Sequence, residues 1–386
     1  MKVCFCAPGI YSFFFEDASL MHGGAEVQQY LIAHWLRDSG VEVSFITEDH
    51  GQSFMEEKQG FQIVKMEKNA GPAGFFERLI PNTAGLGKAM RAVGADVYYQ
   101  RGRGALTGKV AYACSRMRKP FVFGAASDTD CSLRRAAFRK SNMYERMMFS
   151  WGLRHADRII AQTEHQKELL IKNFKKEPVV ISNCYPVEAK KIKKEVPPKV
   201  LWVGEAYRPL KRAEMFIRLA EALPRVEFIM VAGPESPDPK RYAEVRDHVS
   251  ELRNVEFLGF VPYKDIHLHF ERASILVDTS AVSGFHNTFL QAWANESPVV
   301  SLTVDPDELI RRYGFGCHSG SFDKLKRDVE KLVNDRETRE RMGKQACQFV
   351  KDKLGVATSG KKYLDVFRAV TERFSPTGAS LQRGRT

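Results

Sequence analysis

The stretch ILVDTSAVSGFHNTFLQAWANESPVVSL, residues 275–302, decides the fold. Its ends, Ile275–Val277 and Pro298–Leu302, are short apolar runs that read as buried strands. Between them a polar loop passes through Gly284, and a helix begins near His286 or Asn287. Strand, loop, helix and strand in this order form one unit of a parallel sheet. Gly284 opens a close backbone approach, and the helix start behind it offers free amides and the positive end of a dipole. That arrangement suits a phosphate or diphosphate. An ordinary strand–loop–helix connection has the same outline.

Working outward, the texture repeats. The first half predicts strands at Val3–Ala7, Val41–Thr47, Gln62–Lys65, Val97–Gln100, Pro120–Gly124, Arg158–Ala161 and Val179–Ile181. The second half predicts Val200–Val203, Glu227–Ala232 and Val255–Leu258 ahead of the opening stretch. Helices fill the gaps. The clearest, Gly24–Asp38, places Val27, Tyr30, Leu31, His34 and Trp35 at helical spacing and predicts one buried face. EAKKIKKEVPPK, residues 188–199, is charged and proline-bearing and reads as a linker. The expected class is α/β, two doubly wound Rossmann-like domains facing a cleft. The first spans 1–187 and the second 200–350; a helix at 351–374 returns to the first domain, and 375–386 form a loose tail. Sheets of this kind bind ligands beyond the carboxyl ends of their strands.

Composition bounds the function. The 386 residues are 44% hydrophobic and 11% aromatic, which excludes a disordered chain. No apolar run approaches the roughly 20 residues that span a bilayer. The start reads as a first strand rather than a signal peptide. Seven scattered cysteines without CxxC indicate reduced thiols and a cytoplasmic setting. The net charge of +12 is uneven: residues 101–146 hold 11 Lys/Arg against three acids. Such a stretch suits an anionic membrane, nucleic acid or phosphorylated substrate, and equally a solvated basic face. No GxGxxG follows Val3–Ala7 or Val200–Val203, which argues against a nicotinamide dehydrogenase. No recognised module accompanies the basic stretch, so nucleic acid is not an expected partner.

The frame SGFHNTFLQAWANESPVVS resembles the signature of retaining glycosyltransferase family 4, the GT-B-fold enzymes, in a bacterial branch. In that family a Glu, then Gly-Phe, then a second Glu eight residues on grip the donor sugar and ribose. Here Ser283 and Gln291 stand at the two acidic positions. Gln291 keeps the capacity to hydrogen-bond ribose hydroxyls. The backbone around Gly284, Phe285, His286, Asn287 and Thr288 does not depend on those side chains. VLWVGEAYRPLKRAEMFIRLA, residues 200–220, is similar to the family's strand, Val-Gly, then Arg and Lys that neutralise the diphosphate. Gly204 and Lys211 match, Glu205 takes the Arg position, and Arg208 offers a cation nearby. HGGAE, with Gly23 and Gly24, resembles the family's first glycine loop beside donor phosphate and acceptor.

The resemblance implies a hexosyltransferase that moves a sugar, with retention and without a metal, from a UDP- or GDP-linked donor. The implied acceptor is a glycan or a lipid-linked molecule in surface polysaccharide synthesis, and the departing phosphate helps activate the incoming hydroxyl. The departures at Glu205, Ser283 and Gln291 leave a second reading: a catalytically inactive relative acting as a binding or scaffold protein.

Two further features stay open in the sequence. Asp128, in Asp128-Thr129-Asp130, reads as a donor or acceptor contact or as a helix cap before Ser132. LRRAAFRKSNMYERMMFSW, residues 133–151, reads as a helix lying on an anionic membrane at the inner face, or as a core-packing helix with solvated charges. His267 and His269 point to different faces of a helix, so no metal pair is expected.

Overall fold

The computed structural model describes the chain except residues 16–22, 68–82, 133–141, 189–191, 234–237, 283 and 375–386. It divides into two compact units. The first comprises residues 1–18, 22–182 and 356–386; the second comprises 19–21 and 183–355. The expected linker segment thus falls in the second unit.

The first unit is built on eight strands: β1 (Lys2–Cys6), β2 (Glu42–Thr47), β3 (Met55–Lys58), β4 (Phe61–Lys65), β5 (Val97–Arg101), β6 (Phe121–Gly124), β7 (Arg158–Ala161) and β8 (Val179–Val180). Their order is β3-β4-β2-β1-β5-β6-β7-β8, parallel except for the β3–β4 pair. Strands β1, β2, β5 and β6 are almost wholly buried. That is the mark of a parallel sheet covered on both faces. β3, with sequence MEEK, was not expected: it is an antiparallel edge strand with alternating exposure, so it carries no apolar run.

The last helix, Val356–Phe374, completes this unit. Phe367 packs edge-on to Phe5 and Tyr99, and the Tyr363 hydroxyl accepts from Arg101 Nη1 at 3.2 Å. Gly360 meets Trp35 of the Gly24–Asp38 helix, and a Cβ there would stand 2.3 Å from the indole ring. This packing corrects the expected buried face of that helix. The fully buried residues are Val27, Gln28, Gln29, Ile32, Ala33 and Leu36. Tyr30, Leu31, His34 and Trp35 are half-buried; Tyr30, His34 and Trp35 pack on side chains or glycine of other elements. Tyr30 stacks on Phe13 and His34 meets Phe61 edge-on.

The second unit has six parallel strands: β9 (Lys199–Val203), β10 (Glu227–Val231), β11 (Val255–Gly259), β12 (Ile275–Asp278), β13 (Val299–Ser301) and β14 (Gly316–His318), in the order β11-β10-β9-β12-β13-β14. Alternate side chains feed two cores. Val200 and Trp202 join Phe216, Phe228 and Met230 on one face. Leu201 joins Ile229, Leu276, Phe289 and Trp293 on the other. The α/β doubly wound class is what the alternation of elements predicted. β14 went unseen in the sequence because it is three residues long and opens on a glycine.

Candidate functional site

In the second unit, the loops at the carboxyl ends of β9 and β12 are joined by hydrogen bonds. The Trp202 indole N–H donates to Thr279 Oγ1 at 2.9 Å, and that hydroxyl donates to the Lys211 carbonyl at 2.7 Å. Ala281 N–H donates to the Leu210 carbonyl at 2.8 Å. Arg212, in a left-handed conformation at φ 50°, donates to the carbonyls of Thr279 and Ser280 and to Thr303 Oγ1. Gly204 lets the turn close over Trp202, since a Cβ there would lie 2.8 Å from the indole. The turn carrying Lys211 is therefore fixed against the end of β12. Among the described residues the Lys211 ammonium makes no ion pair.

The loop after β12 leads into the helix Asn287–Ala294, whose N-cap is His286. Among the described residues no side chain caps this helix, and its first turn holds no acid. The start of such a helix carries the partial positive charge of its dipole. Asn183 fixes the entry, donating through Nδ2 to the Phe285 carbonyl at 2.8 Å and to Asn287 Oδ1 at 2.9 Å. Phe285 is buried edge-on to Trp293.

Beneath this helix start lies a buried pair. His286 Nδ1 stands 3.3 Å from Asp278 Oδ1, with both side chains 9% exposed. Ser280 donates to Asp278 Oδ1 at 2.8 Å and Ser301 to Oδ2 at 3.4 Å. Burial works against ionisation of Asp278, yet His286, Lys211 and the Ser280 hydroxyl outweigh it and hold the carboxyl down to about 2. His286 is pushed below its usual value, by burial first and then by Lys211, with Asp278 opposing both. The resting arrangement is a carboxylate beside a neutral imidazole.

The expected site residues fall as follows. Lys211, Gly204 and the Gly284–Thr288 backbone belong to this one end of the second sheet. Ser283 lies outside the described residues. Gln291, 6% exposed, is one turn along from Asn287 on the same helix face. Arg208 is not a spare cation: its Nε sits 2.7 Å from Glu205 Oε2, and Tyr207 donates to Glu205 Oε1 at 3.0 Å. Arg212, Asp278 and the Trp202–Thr279 relay were not foreseen. An ionisable residue closing the apolar run ILVD was the available signal for Asp278.

In the first unit, Gly23 is the N-cap and Gly24 the first residue of the Gly24–Asp38 helix. A Cβ on Gly23 would stand 2.3 Å from Glu26 Oε2, so a larger residue there would displace that carboxylate. Asp128 opens a 3-10 turn after β6 and accepts from Gln166 Nε2 at 3.1 Å. The cap of that turn is Ser127, not Asp128. Asp130 completes the capping box, accepting from the amides of Ala126 at 2.8 Å and Ser127 at 3.2 Å. The serine was missed because the Asp-x-Asp pattern drew the cap one residue too far along.

Residues 197–335 match the model of glycosyl transferases group 1, and residues 22–189 match that of glycosyltransferase family 4. An uncharacterized glycosyltransferase of Methanocaldococcus jannaschii is 25% identical over 228 residues, which cover 56% of this chain and 61% of that protein's length. Among solved structures, sucrose-phosphate synthase from Thermosynechococcus elongatus superposes with a TM-score of 0.74 at 15% identity, covering 96% of this chain and 99% of the other. HepE of Anabaena in complex with UDP and glucose gives 0.71 at 17% identity, covering 96% and 100%. TarM of S. aureus gives 0.73 at 12% identity, covering 95% and 100%. With one family model on each half and these structures sharing its fold, the chain belongs to the GT-B glycosyltransferases.

Proposed function

We propose that the chain transfers a hexosyl group, with retention and without a metal, from a nucleoside-diphosphate sugar to a glycan or lipid-linked acceptor in surface polysaccharide synthesis. One observation carries this reading: the Trp202–Thr279–Lys211 relay fixes a cation-bearing turn at the same end of the sheet as the N-terminus of the Asn287–Ala294 helix. Breaking an anomeric bond leaves added charge on the departing diphosphate, and fixed donors stabilise it more effectively than mobile water. Lys211, the amides near His286–Thr288 and Gln291 are the donor-binding groups of this reading, and Gly23, Gly24 and Asp128 serve the first unit's share of the reaction. The UDP in the HepE and TarM structures supports a UDP-linked donor, with GDP-linked sugars the other option.

We further place the enzyme in the cytoplasm, peripheral at the inner membrane face. Among the described residues no helix is long and apolar enough to cross a membrane. The helix Met143–Arg154 exposes Met143 (75%), Met147 (62%) and Trp151 (37%) at four-residue intervals, while Met148 and Phe149 turn into the core. Residues 133–141, the rest of the expected membrane helix, lie outside the described residues.

The Arg208–Glu205 pair favours a second reading, a non-catalytic relative, because it neutralises a cation beside the candidate diphosphate site. Calorimetry with UDP-, GDP- and ADP-linked sugars, followed by assay of donor hydrolysis, separates the two. Slow release of free sugar establishes catalysis. Failure of every donor to bind or turn over with any acceptor overturns the enzyme reading.

A further inference from the structure

The charges around the candidate diphosphate site are poorly matched to a diphosphate. Arg208 is paired with Glu205, and Arg212 directs its donors at the neutral oxygens of Thr279, Ser280 and Thr303. Lys211 makes no ion pair among the described residues, and the buried Asp278 carboxylate lies close enough to be held down by it. A nucleoside diphosphate carries more negative charge than one ammonium with a carboxylate behind it balances. A site of this kind gains from a positive charge that appears only when the ligand is present.

His286 is placed to supply it. It stands at the N-cap of the Asn287–Ala294 helix, and it is 9% exposed. Nδ1 is shut away from solvent without an aligned hydrogen-bond partner, 3.3 Å from the Asp278 carboxylate. A carboxylate at Nδ1 favours the tautomer that carries its proton there, which leaves the Nε2 lone pair as the site of protonation. The charged groups that face the ring are Asp278, from β12, and Lys211, from the turn after β9; Phe289 packs edge-on at 5.2 Å and adds no charge. Burial and Lys211 favour the neutral imidazole, with Asp278 opposing them. A docked diphosphate reverses the sign of the local field.

Resting on the donor reading above, we propose that the Asp278–His286 pair is a proton-coupled ligand for the diphosphate. A proton from solvent binds Nε2 as the nucleoside diphosphate docks, and the resulting N–H donates to a phosphate oxygen. Asp278 is the positioning residue: it fixes the ring and stabilises the imidazolium. His286 thereby replaces the charge that Glu205 withholds from Arg208.

The test is calorimetric titration of the full chain with UDP and with GDP between pH 5.5 and 8.5, each pH in two buffers of different ionisation enthalpy. The β-phosphate itself titrates, so the comparison with His286→Gln is decisive. The wild type takes up more protons than H286Q on binding near pH 7.5. Its Kd also rises more steeply with pH than that of H286Q, by an extra factor of up to about ten per pH unit. His286→Lys keeps tight binding without the extra uptake. Equal proton uptake by wild type and a folded H286Q overturns the proposal. Should H286Q not fold, nitrogen-15 NMR of the wild-type imidazoles reads the same quantity: the His286 titration midpoint rises by more than one pH unit on UDP addition, and an unmoved midpoint overturns the proposal. If neither nucleotide binds at any pH, the donor reading falls and takes this assignment with it; binding without His286-dependent uptake removes this assignment alone.

Discussion

Arg208 Nε lies 2.7 Å from Glu205 Oε2, three residues back along the same turn, so the acid that departs from the family pattern engages the nearest compensating base. The Arg208 side chain remains more than half exposed, so the pair contributes little to stability, roughly 0–1 kcal/mol. Its effect is on the charge presented to a ligand. Glu205→Gln releases Arg208 and removes a negative charge. UDP is expected to bind about three- to tenfold more tightly to this variant in low salt, with the gain shrinking as salt screens it. Isothermal titration at two ionic strengths checks the expectation; an unchanged Kd refutes it.

Thr279 receives the Trp202 indole N–H and passes a hydrogen bond to the Lys211 carbonyl. Thr279→Val keeps the shape of the side chain but leaves the buried indole donor without its acceptor, at a cost of about 1–3 kcal/mol. The Lys211 turn also loses an anchor. The expected outcome is a lower thermal transition together with weaker nucleotide binding. A variant that loses stability but binds UDP as the wild type does would show that the relay does not position Lys211.

Lys194 gives the second unit a pH dependence. Its ammonium donates to Ser297 Oγ at 2.7 Å and to the Phe270 carbonyl at 3.2 Å. Burial pushes it down to about 7, with Glu296 and Glu271 opposing the shift. The unfolded amine titrates near 10.4, so between the two values the unfolded chain binds more protons and stability rises with pH. The full penalty is present below about pH 7 and disappears as pH approaches 10. Lys194→Met is therefore expected to raise the thermal transition at pH 6 to 7 and to match the wild type near pH 10. A difference independent of pH would exclude the buried charge as its cause.

Met143, Met147 and Trp151 form an apolar ridge on one exposed helix face. Met147→Glu combined with Trp151→Glu is expected to reduce co-flotation with vesicles containing anionic phospholipid by several-fold. Nucleotide binding by the second unit should be unchanged. Equal flotation of wild type and variant would place the membrane contact elsewhere.

The fold was legible because its strands are buried on both faces and so stand out as β-branched and aromatic runs. MEEK and GCH escaped notice because edge strands need no such run. The Gly24–Asp38 helix shows where periodicity stops short. Its apolar positions were visible, but Trp35 turns toward Gly360, more than 300 residues away in sequence, and no local pattern encodes that partner. In the candidate site, glycines and cations stood out by type. Pairings such as Arg208 with Glu205, or His286 with Asp278, depend on side-chain directions that spacing does not fix.

The Val356–Phe374 helix supplies part of the aromatic core of the first unit, although in the chain it follows the whole of the second unit from Asn183 to Gly355. During synthesis the chain emerges from its amino end, so Phe5 and Tyr99 must wait for Phe367 until the second unit has been translated in full. The first unit is begun before the second and completed after it. Stop codons between residues 183 and 355 therefore release a first unit with its aromatic face uncovered, a species fit for chaperones or proteases rather than a minimal working domain.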